Sequence, residues 1–144
     1  MASIVGTLHM LLLDFFFFLG IKLNYLDALE IKEFYNILFV DNQNIIIFII
    51  GSMVLGFLMI FLRSQILKAT LFMTTWAISA LTLLSPVGES IGESMFKKEK
   101  QSIQMQTRAF IGDIMYESRS HLFVRFKNDN SITKIKKDIY ATHK

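Results

Sequence analysis

The chain contains no cysteine, and this absence excludes several kinds of chemistry. Disulfide bonds, thiolate metal sites and cysteine nucleophiles are all ruled out. Proline is almost absent as well, since Pro86 is the only one among 144 residues. Together with Gly88, it predicts the end of the last apolar segment of the chain.

Charge is scarce in the first 85 residues. Over the whole chain 53% of the residues are hydrophobic and the mean hydropathy is +0.46, more than an ordinary soluble domain of this size could bury. The apolar residues are concentrated before residue 86, whereas most lysines and arginines lie after residue 96. The sequence therefore predicts a small membrane protein with a basic, soluble tail.

Three apolar segments, residues 4–21, 44–62 and 66–85, are long enough to cross a bilayer as helices, and they define a membrane region over residues 1–86. The first segment has no basic N-terminal region and carries Asp14 inside its apolar core. We therefore expect a retained helix rather than a cleaved signal peptide. Between the first two spans, apolar residues recur near the helical period over 23–39 and predict an amphipathic helix on the membrane surface, with a short ordered loop as the alternative.

Asp14 is the residue most in need of an explanation, because a carboxylate at the centre of a membrane helix costs about 2.5–3.5 kcal/mol. Three interpretations are open. Asp14 is held by hydroxyls of the third span or protonated, it docks to another protein, or it exchanges protons or cations along a conduction path. Spans two and three contain no deep charged residue that could pair with it, which favours a partner in another chain. His9 lies near the membrane boundary, off the face of Asp14, and is grouped with it as a candidate partner contact.

Small residues predict how the helices pack. Gly51, Ser52 and Gly56 form a small face on the second span, and Thr75 and Ser79 belong to a band of small, hydroxylated residues on the third. Such faces allow close helix packing in lipid. The short connection between the two spans predicts that these faces pack together in an antiparallel hairpin.

The tail divides into two parts. Residues 87–108 predict a polar linker helix, opened by a capping box at Ser90 and Glu93. Its lysines are expected near lipid headgroups: Lys97, Lys98 and Lys100. Residues 109–144 predict a small antiparallel β-module, with strands at about 109–118, 120–127 and 131–140 and a hairpin turn at 128–131.

The order of membrane helices followed by a small β-module, with Gly112 and Asp113 in its first strand, resembles the β-domain that follows the membrane helices of small-conductance mechanosensitive channels. It also resembles the small barrels of NfeD-type membrane proteins. The resemblance is one of element order, and it assigns no role to any individual residue.

No constellation of residues predicts catalysis. A Ser/His/Asp set, paired carboxylates on one rigid element and a metal-ligand cluster are all missing from the pattern, so we predict no catalytic, cofactor-binding or metal-binding residue. His121 is expected to be a surface residue, and nucleic acid is not an expected partner. The chain is therefore not expected to be an enzyme.

The sequence predicts a multi-pass protein of the inner membrane that acts as a non-catalytic accessory, assembly or regulatory subunit. It would bind a larger membrane complex through its first span and its β-module. The alternative is a homo-oligomeric channel with Asp14 in its pathway. An immunity or exclusion factor is compatible with the small size, but no residue favours it. The distribution of Lys and Arg around the spans predicts a cytoplasmic tail.

Overall fold

The computed structural model describes residues 1–105, 108–126, 131–137 and 140–141. Within these residues, helices occupy the first two thirds of the chain and an antiparallel sheet the remainder. The helices are α1 (Ala2–Ile21), α2 (Tyr35–Asn42), α3 (Ile45–Phe61), α4 (Gln65–Ala80) and α5 (Ser85–Phe96). The strands are β1 (Lys98–Met105), β2 (Arg108–Glu117), β3 (His121–Phe126), β4 (Ile132–Lys136) and β5 (Tyr140–Ala141).

The predicted apolar segments correspond to α1, α3 and α4. By length and composition, two helical stretches are able to cross a membrane, Ala2–Leu26 and Gln65–Leu83, and α3 becomes a third if it is counted together with α2. These two helices meet at a bend of 86°. The helix starts are capped, because the side chain of Asn44 accepts hydrogen bonds from the first turn of α3 and that of Ser64 from the first turn of α4.

Helix α1 lies between α3 and α4, which corrects the predicted packing of α3 directly against α4. A Cβ atom on Gly6 would collide with the carbonyl oxygen of Ser52, and one on Gly56 would collide with that of Ala2. These contacts run antiparallel along α1 and α3. The small face of α3 was therefore identified correctly but its neighbour was not, because a small-residue motif permits close approach without specifying a partner.

The segment after α1 is not the single amphipathic helix predicted over 23–39. A π-helical turn covers Lys22–Leu26, and Glu30 adopts a positive φ of 58° that ends the helical path. The amide of Ile31 then returns to donate to the carbonyl of Leu26 at 2.8 Å. This compact turn buries Tyr25, Leu26 and Ile31 together, and that burial outweighs the helical periodicity of the segment.

The predicted linker helix is shorter and begins earlier than expected. Helix α5 starts at Ser85 with Pro86 in its first turn, where proline is well tolerated, so Ser90 is an interior residue and not a cap. The two glycines of the GESIGES repeat, Gly88 and Gly92, lie against Asn24 and Tyr25, and a Cβ atom on either would collide with these neighbours. The repeat is therefore a helix-packing motif.

Residues 98–105, predicted as helix, form strand β1 instead. This strand pairs with β2 on one side and with β5 on the other, giving the sheet order β4-β3-β2-β1-β5. The ladder to β2 supplies backbone hydrogen bonds and buries Ile103, which together override a polar sequence with little strand preference. The three predicted strands are confirmed as β2, β3 and β4, while residues 128–130 of the predicted hairpin turn lie outside the described residues.

The sheet buries side chains on both faces. One core consists of Ile103, Ile114, Leu122, Val124 and Ile135, so the alternating residues Leu122 and Val124 of β3 face the same side. The second core joins Met115, Tyr116 and Phe123 to the turn after α1 and to α5. A register shift between Ile114 and Tyr116 places these two residues in different cores, although strict alternation along the strand would put them on one face.

Candidate functional site

The interface between α1 and α4 contains a row of polar contacts. His9 Nε2 lies 2.9 Å from Thr75 Oγ1. One turn further along, Ser79 Oγ donates to the carbonyl of Leu13, and Thr82 Oγ1 lies 3.2 Å from the carbonyl oxygen of Phe16 as a donor. Each pair is separated by 66 residues in the chain, so α1 and α4 run parallel.

His9 is an internal residue of this arrangement. Its side chain is 4% exposed, and its ring meets Phe72 edge-on at a centroid distance of 5.1 Å. The sequence predicted His9 as a contact for another protein. In the structure the imidazole is enclosed by α4 and is not exposed for such a contact. Thr75 and Ser79, predicted as packing residues, do pack, but their neighbour is α1.

Asp14 has a hydrogen-bond donor within its own chain. The amide Nε2 of Gln43, at the bend between α2 and α3, donates to Asp14 Oδ2 at 2.7 Å. Tyr35 holds α2 in place beside this site, since its hydroxyl donates to the carbonyl of Phe15 at 3.3 Å and its ring contacts that of Phe15. The hydroxyls of the third span were proposed from sequence as donors to Asp14. Those of Ser79 and Thr82 bind backbone carbonyls of α1 instead, and that of Thr75 contacts His9.

Asp14 also lines a cavity of about 340 Å³ between α1 and the bend. Three consecutive amide side chains line the same cavity, Asn42, Gln43 and Asn44, together with apolar residues such as Met10 and Phe48. The second carboxylate oxygen of Asp14 forms no hydrogen bond with the described part of the chain. The cavity therefore places both hydrogen-bond donors and hydrogen-bond acceptors, from the three amide side chains, around the partly buried carboxylate of Asp14.

Gln43 was not predicted as the donor to Asp14, because it is neither a charged group nor a hydroxyl within a span. The signal was present in the polar run DNQN at 41–44, directly before the second apolar segment. A carboxylate in α1 needs a donor, and this run places three amide side chains directly before α3. Only the 86° bend, however, brings the run back to Asp14.

The basic residues predicted at the membrane surface are engaged with carboxylates. Lys97 forms ion pairs with Glu93 and Glu99, both at 3.3 Å, and their hydrogen bonds raise the pKa of Lys97, with Glu99 contributing most. Lys98 pairs with Glu117 at 2.9 Å. Lys100 has a positive φ of 51°, and its backbone amide donates to Asp113.

The sheet carries an apolar patch that does not belong to either core. Phe110 and Ile111 of β2 are 41% and 66% exposed, and the ring of Phe110 contacts that of Phe126. Beside them lies a cavity of about 640 Å³, lined by Ile111, Gly112 and Phe126 together with the charged residues Glu99, Lys100, Asp113 and Arg125. We name Phe110 and Ile111 the β2 patch.

Among the described residues, no three or more His, Asp or Glu side chains are placed to hold a metal ion. Comparison with protein-family models, with curated proteins and with solved structures finds no match for this chain.

Proposed function

We propose that this chain is a non-catalytic integral membrane subunit that binds a larger membrane complex through the β2 patch and through the open side of α1. In this arrangement α1, α3 and α4 cross the bilayer, and the sheet lies on the cytoplasmic side. The observation that carries the proposal is the exposure of the β2 patch, since most other large apolar residues of the sheet whose burial is described lie in the two cores.

Membrane insertion is supported by the character of the helix surfaces. Large apolar side chains are exposed along the whole of α3, including Ile46, Ile50 and Phe57, and α3 contains no charged residue. In water such a surface would drive aggregation, whereas in a bilayer it contacts lipid. Asp14 is the only charged residue in α1.

The basic residues around the helix ends support the proposed orientation. Lys22 and Lys32 lie on the same side of the proposed bilayer as the sheet, together with the lysines of β1, whereas Arg63 and Lys68 lie on the other side. The larger number of Lys and Arg residues on the sheet side favours a cytoplasmic sheet.

A partner surface on α1 is supported by the position of that helix. Residues Ile4, Leu8, Leu11 and Phe15 form an exposed stripe along α1, since they recur at intervals of three and four residues. The helix therefore keeps one side open even though α3 and α4 contact its other sides. Asp14 adjoins this stripe, within reach of a partner helix.

The β2 patch provides the direct test. A photo-crosslinking amino acid at Ile111, in the full-length chain expressed in its host membrane, is expected to form one adduct with a larger membrane protein. The same probe at Thr133, an exposed residue of β4, is the matched control and is expected to form no such adduct. Adducts at both positions, or at neither, would contradict the proposal.

The cavity beside Asp14 favours a second candidate, a homo-oligomeric channel. An acid and three amides around one cavity are groups able to replace part of the hydration shell of a cation. Asp14→Asn distinguishes the two candidates. A channel loses or changes its current in planar bilayers while its oligomer persists, whereas an accessory subunit shows no current and loses the partner.

A further inference from the structure

A third cavity lies between the turn after α1 and the sheet, with a volume of about 550 Å³. Three basic side chains from separate parts of the chain line it: Lys32 from the turn, Arg125 from β3 and Lys134 from β4. Glu30 is the only carboxylate among the lining residues that the structure describes. The formal charge of this set is positive, which favours an anion.

The guanidinium of Arg125 is incompletely satisfied. Its Nε is buried and has no hydrogen-bond partner among the described residues. Other basic residues of the tail, such as Lys98 and Lys137, are instead paired with Glu117. A buried donor without an acceptor needs an explanation, and the planar fork of arginine matches the oxygens of a phosphoryl group.

The backbone supports the convergence of these groups. Glu30 adopts its positive φ between Leu29, which lines the cavity, and Ile31, which is buried. The burial of Ile31 therefore holds this turn in place. Lys134 is positioned from the other side, with its Nζ 5.6 Å from the centre of the Phe123 ring. Lys134 is thus tied, through Phe123, to the core that joins the sheet and the turn.

We propose that the basic cavity, defined by Lys32, Arg125 and Lys134, binds the phosphoryl group of an anionic lipid headgroup. Lipid is the favoured source because Phe34, two residues after Lys32, is 74% exposed and begins the segment that leads into α2. An exposed phenylalanine at the edge of the membrane region inserts into the interface and holds Lys32 at headgroup level. This inference rests on the proposed membrane insertion.

The test uses the purified full-length chain in nanodiscs made of equal parts phosphatidylglycerol and phosphatidylcholine. Native mass spectrometry after release from the nanodisc is expected to show phosphatidylglycerol retained in preference to phosphatidylcholine. Loss of a charged hydrogen-bond donor corresponds to about tenfold weaker binding, so Arg125→Gln is expected to reduce retention by about that factor.

Two further variants make the test specific to the cavity. Lys134→Gln is expected to reduce retention, whereas Lys136→Gln removes the same charge from the same strand outside the cavity lining and should leave retention unchanged. Glu30→Gln removes the carboxylate and should increase retention. Equal losses in Lys134→Gln and Lys136→Gln would show nonspecific surface attraction and overturn the proposal.

Inorganic phosphate identifies the source of the phosphoryl group. If phosphate at millimolar concentration leaves lipid retention unchanged, the intact headgroup with its glycerol is the ligand, as proposed. If phosphate alone binds and abolishes lipid retention, the cavity takes a free phosphate and the lipid assignment is wrong. Absence of both kinds of binding overturns the site itself.

Failure of this inference is separable from failure of the proposed function. Alkaline carbonate extraction of host membranes, done first, establishes whether the chain is integral to the membrane. A chain that resists extraction but shows no preference for phosphatidylglycerol overturns only the basic cavity. Crosslinking from Ile111 reports on the partner complex and does not depend on lipid retention.

Discussion

The hydroxyl of Tyr25 donates a buried hydrogen bond of 2.9 Å to the backbone carbonyl of Met115, 90 residues later in the chain. Tyr25 lies in the π-helical turn that follows α1, and Met115 lies in β2, the second strand of the sheet. The ring of Tyr25 stacks on Phe96 at a centroid distance of 6.1 Å, and Phe96 meets Tyr116 edge-on at 5.2 Å. These contacts attach the sheet to the helices at one buried point.

Removing this hydroxyl tests the attachment. Tyr25→Phe leaves the carbonyl of Met115 buried without its donor, and the expected loss in free energy of unfolding is about 1–3 kcal/mol. The measurement is thermal unfolding of the purified chain in mild detergent, followed by circular dichroism. Tyr35→Phe is the matched control, because its hydrogen bond to Phe15 is exposed and longer at 3.3 Å. A larger effect in the control than in Tyr25→Phe would contradict the proposed role.

The close approach of α1 and α3 predicts a sharp difference between two glycines. Gly6→Ala brings a methyl group against the carbonyl oxygen of Ser52, which belongs to the backbone and cannot rotate away. We expect a loss of about 1–3 kcal/mol from overpacking. Gly51→Ala brings its methyl group 3.0 Å from the sulfur of Met10, at the end of a flexible side chain, and should be tolerated. Fluorescence of Trp76, the only tryptophan, follows the unfolding of both variants.

Equal stability of Gly6→Ala and Gly51→Ala would show that α1 and α3 are not held at this distance. The pair is informative because each variant adds one methyl group to the same helix interface. The difference in stability between the two variants therefore reports whether the atom that meets the added methyl group is able to move away.

The hydrogen bond between α1 and α4 can be tested in the same way. Thr75→Val keeps the shape of the side chain but leaves His9 without its partner at 2.9 Å. Hydrogen bonds between membrane helices contribute about 0.6 kcal/mol on average and up to about 1.7 kcal/mol, so we expect a loss in this range. Thr74→Val is the control, since Thr74 is exposed on the same helix turn and forms no hydrogen bond with α1. Equal losses in the two variants would contradict the structural role of the His9 contact.

The elements that the sequence predicted correctly are those whose pattern depends on solvent alone. Apolar runs predict long apolar helices, and alternation such as Leu122 and Val124 predicts a strand that is buried on one face. These patterns identify α1, α3, α4 and strands β2 to β4. They do not depend on which element lies opposite.

What the sequence did not predict depends on neighbours. Strand β1 has only Ile103 as a buried apolar residue among those whose burial is described, and its conformation follows from pairing with β2 and β5. The turn at Glu30 follows from the burial of Ile31 beneath the sheet. The donor to Asp14 comes from a bend that no periodicity reveals. Long-range contacts of this kind are the part of a fold that single-sequence patterns miss.

The ion pairs of Glu117 predict how the stability of the sheet depends on pH. Its carboxylate lies 2.8 Å from Lys137 and 2.9 Å from Lys98, so it connects the end of β2 to the start of β1 and to the residue after β4. Hydrogen bonds from Lys137, and then from Lys98, lower the pKa of Glu117 below its ordinary value of 4.5. The ionised form is therefore favoured by folding.

The sign of the pH effect follows from this lowered pKa. At pH above 4.5 Glu117 is ionised in the folded and unfolded chains, and the stabilisation by its ion pairs is fully present. As the pH falls below 4.5 the unfolded chain takes up a proton first, and the stabilisation is lost as the pH passes through the folded pKa. Because these pairs are partly exposed, the loss is at most about 1 kcal/mol. Glu117→Gln should be less stable than the wild type at neutral pH, and the difference should shrink as the pH falls below 4.5 through the lowered pKa of Glu117, as followed by thermal unfolding at a series of pH values. Glu89→Gln, which removes an exposed carboxylate without an ion pair in the described chain, is the control. A stability difference between Glu117→Gln and the wild type that stays constant from neutral to acid pH would show that these ion pairs do not stabilise the sheet.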